Sequence, residues 1–104
     1  MAKKRPTVAE KKWMQQVADY GCIACEIDGL LTPAEVHHIR KHTGMGLRPS
    51  HFDILPLCAS HHRTGKISVQ LGKKAFIEKY GTEQQLQQRV RERIEEWNEI
   101  ADIF

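Results

Sequence analysis

Three cysteines and two pairs of adjacent histidines interlock along this chain: Cys22 and Cys25 come first, then His37-His38, then Cys58 with His61-His62. Thiolate and imidazole are the ligands that zinc prefers in four-coordinate structural sites, and two of them with two residues between can chelate from one tight turn. Cys22-x-x-Cys25 and Cys58-x-x-His61 therefore form a candidate zinc set whose closure ties together the two ends of the intervening segment. Two alternatives stay open on the residues alone. His62 can replace His61 as the fourth ligand, and Cys58, in the run Leu55-Pro56-Leu57-Cys58, can be a small buried hydrophobe, as free cysteines often are. A thioredoxin-like redox pair is the rival chemistry for Cys22 and Cys25, but the flanking sequence lacks the βαβ pattern that such a pair requires.

The histidines outside that set can carry out other chemistry. His37 and His38 are adjacent in a segment that reads as a strand, where neighbouring side chains point to opposite faces, so one ion would not use both in the same way. One imidazole can bind a divalent cation while the other, unliganded, accepts a proton from water near neutral pH. His62 completes such a metal site from the helix that follows, leaving coordination positions open for a phosphate oxygen and water. Asp53 falls between the histidine pairs. His42 and His51 read as loop or surface residues, with His51 near enough to Asp53 to be an accessory ligand. Arg40, Lys41, Arg48, Arg63, Lys66, Lys73 and Lys74 gather around the histidine segment, while carboxylates concentrate toward the C-terminus. Beside a metal site this basic face is a candidate for binding phosphate, with Arg48, Arg63 and Lys66 as the groups that position it. The layout suggests a metal-dependent nuclease.

The elements that must position these residues can be read from local signals. At 104 residues the chain fits a single domain spanning 1–104, small enough that a metal staple is a plausible supplement to its core. The odd number of cysteines suits metal binding in a reducing compartment better than disulfides, and the expected location is the cytoplasm. No stretch approaches the length of a membrane span, and residues 1–6 are a basic tail without an apolar run behind it. Formal net charge is +3, which permits nucleic-acid binding without demonstrating it.

Thr7-x-x-Glu10 is a capping box, and Val8, Trp13, Met14 and Val17 roughly follow one helical face until Tyr20-Gly21. Residues 22–33 carry the C-x-x-C turn and show no other secondary-structure signal. Residues 35–39 read as a strand followed by the Gly44-Met45-Gly46 connection, and residues 52–57 as a second strand broken by Pro56, the two together forming a hairpin with a long loop. A short helix should begin at Ala59 and carry His61 and His62 as far as Gly65. Ala75, Phe76 and Tyr80 sit at helical spacings before Gly81. Thr82-x-x-Gln85 opens an amphipathic helix over residues 82–103, with Leu86, Val90, Ile94, Trp97 and Ala101 as its stripe. That stripe packs on the core or forms a dimer seam, so monomer and dimer both stay open.

The order C-x-x-C, VHHI, DILPLC-x-x-HH resembles the HNH (His-Me finger) endonuclease superfamily over residues 22–65. The longer match from VHHIRKHTGMGLRPSHFDILPLCASHHRTG to GKKAFIEKYG is similar to phage-associated nucleases related to the RecA-dependent recombination-enhancement nuclease. This resemblance implies an α+β fold: a small ββα-metal core over 22–65 with a structural zinc, flanked by N- and C-terminal helices. It implies His37 as the first catalytic-metal ligand, His38 as the general base, and His62 as the ligand on the helix. Asp53 stands where the family usually has the Asn that orients the base, and a carboxylate can also accept a hydrogen bond from imidazole. The residue four after His62, where many relatives place a further ligand, is Lys66, with Gln70 a weak candidate. So few protein ligands favour an exchangeable Mg²⁺ or Mn²⁺ that keeps its waters. The implied substrate is DNA, cut to 5′-phosphate and 3′-hydroxyl ends, with RecA filaments as a conceivable partner. The alternative is a zinc-stabilised DNA-binding or partner-binding module on the same scaffold with weak catalysis.

Overall fold

Helix α1, Val8–Tyr20, starts where its capping box predicts. The Thr7 hydroxyl accepts from the Glu10 amide at 3.1 Å, and the Glu10 carboxylate accepts from the Thr7 amide at 2.9 Å. These bonds satisfy two backbone donors that a helix start otherwise leaves exposed. Gly21, at φ 87°, ends the helix in a backbone region that favours glycine. Val17 and Tyr20 are buried and Trp13 and Met14 pack against the core, but Val8 is 86% exposed. Val8 precedes Val17 by nine residues, two and a half helical turns, so it projects from the opposite side.

The computed structural model describes residues 5–39 and 51–103, so the Gly44-Met45-Gly46 connection, Arg40, Lys41, His42 and Arg48 lie outside the described residues. Residues 23–27, expected to lack regular structure, form a short helix, α2 (Ile23–Ile27), with Cys22 as its N-cap. The Cys22 sulfur accepts from the Cys25 amide at 3.4 Å. Five residues are too few to leave a periodic signal in the sequence.

Strand β1, Glu35–His38, pairs antiparallel with β2, Ile54–Leu57, in the register Glu35↔Leu57, Val36↔Pro56, His37↔Leu55 and His38↔Ile54. Both strands are shorter than the sequence suggests, but the Ile39 amide still donates to the Asp53 carbonyl at 2.9 Å. Pro56 is tolerated inside β2 because, among the described residues, the sheet has two strands and β2 has a neighbour on one edge. The helix expected from Ala59 is a π-helical turn, Ser60–Thr64. Its closing bond runs from the Gly65 amide to the Ser60 carbonyl at 2.9 Å.

Helix α3, Lys73–Tyr80, buries Phe76 and Tyr80 while Ala75 stays exposed. Helix α4, Glu83–Ile103, begins at the expected capping box, with Thr82 and Gln85 exchanging bonds of 2.9 and 3.1 Å. Leu86, Val90 and Ile94 are buried, and α4 packs against α1 and β2. The stripe leaves the core at Trp97, which is 47% exposed and stacks on Tyr20 with ring centroids 5.3 Å apart. The architecture is thus a small α+β fold with its core between the hairpin and the helices, centred on Ile23, Leu55, Leu57, Phe76 and Ile94. Among the described residues, no helix is long and apolar enough to cross a membrane.

The link from the π turn to α3 is constrained at both ends. The Val69 amide donates to the His61 carbonyl at 3.0 Å, and buried Ser68 accepts from the Leu71 amide at 3.0 Å. At Gly72 a Cβ atom would collide with the Lys66 carbonyl. Gly72→Ala should therefore force this link apart and cost about 1–3 kcal/mol, as overpacking does. Denaturant unfolding of the zinc-loaded protein measures it, and a loss below about 0.5 kcal/mol, the range of an ordinary surface substitution, would contradict the argument.

Candidate metal centre and the paired histidines

Cys22 and Cys25 lie three residues apart across the first turn of α2, so both sulfurs leave the helix on one side. Cys58 directly follows β2, and one turn later His61 points back toward it. The four ligand atoms lie within 4.8 Å of one another. His61 Nδ1 is 3.6, 3.5 and 3.2 Å from the sulfurs of Cys22, Cys25 and Cys58, and the sulfurs of Cys25 and Cys58 are 3.8 Å apart. A tetrahedral zinc with ordinary Zn–S and Zn–N bonds has S···S edges of about 3.8 Å and N···S edges of about 3.5 Å. These four edges lie near those values, while the spread of the whole set reaches 4.8 Å, and the Cys25 and Cys58 sulfurs are too far apart for a disulfide. The cluster can hold a structural metal such as zinc. Burial pushes the Cys22 thiol up to about 12, so binding must displace its proton.

A polar relay supports the histidine ligand. With Nδ1 facing the sulfurs, Nε2 carries the proton and donates to the Tyr80 hydroxyl at 3.0 Å, which donates to Asp28 Oδ2 at 2.6 Å. Lys79 Nζ is 3.8 Å from the same carboxylate oxygen. Burial and Asp28 raise the Tyr80 pKa, which keeps its hydroxyl a donor. Hydrogen-bonded partners of this kind fix a ligand's tautomer and ring plane. Neither Tyr80 nor Asp28 stands out in the sequence, where Tyr80 reads as a core position of α3.

The second pair of histidines is positioned by strand alternation and helix pitch. Residues 35 and 37 share one face of β1, and consecutive residues of a helical turn diverge by roughly 100°. While His61 faces the sulfurs, His62 faces β1, with its ring centroid 4.9 Å from that of His37. His62 Nδ1 is 3.0 Å from Glu35 Oε1, so Nδ1–H donates and Nε2 keeps its lone pair, with Gln70 Nε2 3.4 Å away. Bonds from Arg63 and His62 hold Glu35 ionised, down to about 2. His37 Nε2 is buried without a hydrogen-bond partner among the described residues. It lies 3.4 Å from Glu83 Oε2, at ion-pair distance but without hydrogen-bond alignment. His37, Glu83, Gln70, Lys73 and Val69 line a cavity of about 390 Å³. His37, His62 and Glu83 are not drawn together as tightly as the zinc set, the one metal-ready cluster of His, Cys, Asp and Glu among the described residues. Glu35 and Glu83 carry no motif and go unremarked in the sequence reading.

His38, on the other side of β1, has its Nε2 3.0 Å from His51 Nδ1. Burial, then the charges of His51 and His37, lower the His38 pKa below the ordinary histidine value. His38 is therefore neutral at pH 7, as a proton acceptor must be. His51, which reads in sequence as a loop residue, is the partner that the fold brings to it. Asp53 is held by α4, accepting from Gln87 Nε2 at 2.9 Å. Among the expected phosphate-positioning groups, Arg63 makes two 3.0 Å bonds to Glu35, Lys66 is exposed, and Arg48 lies outside the described residues.

Two outcomes follow for the cysteine cluster. Chelation of the metal, or Cys22→Ser, should unfold the protein, because binding energy at such a site is folding energy; circular dichroism before and after a strong chelator measures this, and an unchanged spectrum would contradict it. Tyr80→Phe should keep the fold but lower zinc affinity by about 10–100-fold, the usual effect of losing a partner to a ligand histidine. Competition with a chromogenic chelator reads that change, and wild-type affinity in Tyr80→Phe would remove the relay from the account.

Residues 6–95 match the family described as recombination enhancement, RecA-dependent nuclease. No curated protein matches the chain. The matched span includes the cysteine cluster, both histidine pairs, α3 and the packed part of α4. By that match the chain belongs to the family of RecA-dependent nucleases of recombination enhancement.

Proposed function

We propose that this chain is a metal-dependent endonuclease of the HNH type, which hydrolyses DNA phosphodiester bonds in recombination, with a ββα-metal core formed by β1, β2 and the π turn. One arrangement carries the reading. The cysteine cluster anchors the end of β2 and the turn after it, His37 and His62 face each other at 4.9 Å, and His38 is held apart from them against His51. The ion assigned to His37 and His62 is an exchangeable Mg²⁺ or Mn²⁺: with two imidazole nitrogens available as protein ligands, it keeps waters and can take a phosphate oxygen as a further ligand. When bound, such an ion supplies positive charge to the phosphate and to the oxygen that leaves.

The protein groups supply the rest. His38, kept neutral by its surroundings, takes the proton of the water that attacks phosphorus. The P–O3′ bond breaks and the departing O3′ takes a proton from solvent, leaving 5′-phosphate and 3′-hydroxyl ends. Asp53, fixed by Gln87, is assigned to orienting the base, and Arg48, Arg63 and Lys66 to holding phosphate. Glu35 fixes the tautomer of His62, so that Nε2 faces outward as a ligand. RecA filaments on DNA are the proposed context of cleavage, in line with the family's description.

Supercoiled-plasmid nicking with Mg²⁺, Mn²⁺ or EDTA, with and without RecA filaments paired into displacement loops, tests this reading. His38→Ala should slow cutting by about 10²–10⁴-fold, the usual contribution of a general base, while zinc content and fold stay unchanged. Wild-type cutting by His38→Ala would reassign the base. Duplex binding without cutting under every condition, by folded zinc-loaded protein, would instead indicate a binding module on the same scaffold.

A further inference from the structure

Glu83 is a buried carboxylate that the proposed chemistry has not yet used. The residue is 7% exposed and sits in the first turn of α4, far in sequence from both histidine pairs. Lys73 Nζ is 3.6 Å from Oε1, which leaves Oε2 directed at His37 Nε2, 3.4 Å away. A simple ion pair would align the imidazole N–H with the carboxylate, yet this nitrogen has no hydrogen-bond partner among the described residues. Two donors about 2.1 Å from one octahedral ion, at right angles to each other, lie about 3.0 Å apart. The observed spacing is close to that edge. The cavity that both residues line, about 390 Å³, has room for an ion with several waters at roughly 30 Å³ each.

We propose that Glu83 is a direct ligand of the divalent ion assigned to His37 and His62, so that the C-terminal helix supplies the carboxylate missing from the hairpin and the turn. The inference rests on the endonuclease reading. It turns two imidazoles, a poor set for Mg²⁺ or Mn²⁺, into a site with the hard anionic oxygen these ions prefer.

The test is Mn²⁺ binding to zinc-loaded protein without DNA, followed by the loss of the free-ion electron paramagnetic resonance signal. Wild type should bind, His37→Ala should lose binding, and Glu83→Gln, matched in shape but uncharged, should weaken it by at least about tenfold at unchanged zinc content. Glu83→Asp, which keeps the charge, should recover part of the affinity, and it replaces the Gln variant if that one fails to fold. Equal affinity in wild type, Glu83→Gln and Glu83→Asp, with loss only in His37→Ala, overturns the role of Glu83 and leaves the nuclease reading intact. No Mn²⁺ binding by wild type overturns both this inference and the ion of the proposed reaction.

Discussion

Four ligand atoms from three separate segments converge in the cysteine cluster, and the placement of every other functional side chain follows from that convergence. Cys22 and Cys25 come from the cap and first turn of α2, Cys58 from the residue after β2 and His61 from the π turn. Once Cys58 and His61 share a metal, the orientation of the turn is set, and the residue after His61 can only face β1. A chain of this size buries a modest fraction of its surface, so bonds to a metal carry structural weight that a larger core would otherwise bear.

The hairpin then sorts its residues by parity. Glu35 and His37 face the turn, while Val36 packs against the core and His38 meets His51. A one-residue slip in register would exchange the two faces and place His38 opposite His62. The Ile39–Asp53 backbone bond and the buried run Ile54–Leu57 both oppose such a slip. Helix α4 closes the assembly from outside, with Glu83 beside His37, Gln87 on Asp53 and Arg91 donating to the Phe52 carbonyl at 3.2 Å.

Features set by nearby residues were legible in the sequence. The capping boxes at Thr7 and Thr82, the stop at Gly81 and the buried stripe of Leu86, Val90 and Ile94 depend only on neighbours three or four positions away. The ligand spacings of Cys22, Cys25, Cys58 and His61 were legible for the same reason, and the geometry favours His61 over His62 as the fourth member. The partners supplied by distant segments were not legible. Glu83 lies 46 positions after His37, Tyr80 reaches Asp28 across 52, and His51 reads as an ordinary loop residue until β1 and β2 pair. Helix α2 escaped notice because a thiol, an uncommon cap, begins it and it ends after five residues. Nothing in Ser60–Thr64 signals the wider ring of the π turn, so the sequence there predicts an ordinary helix.

The closure of the hairpin at Ile39 and Asp53 bears on how such a chain can diversify. Both ends of the connection between them are fixed by strand pairing. Lengthening a closed loop costs little, about 0.6 kcal/mol for each doubling. A change in the number of residues ahead of His51 would thus cost little and leave the pairing of β1 with β2, and the facing of His37 and His62, as they are.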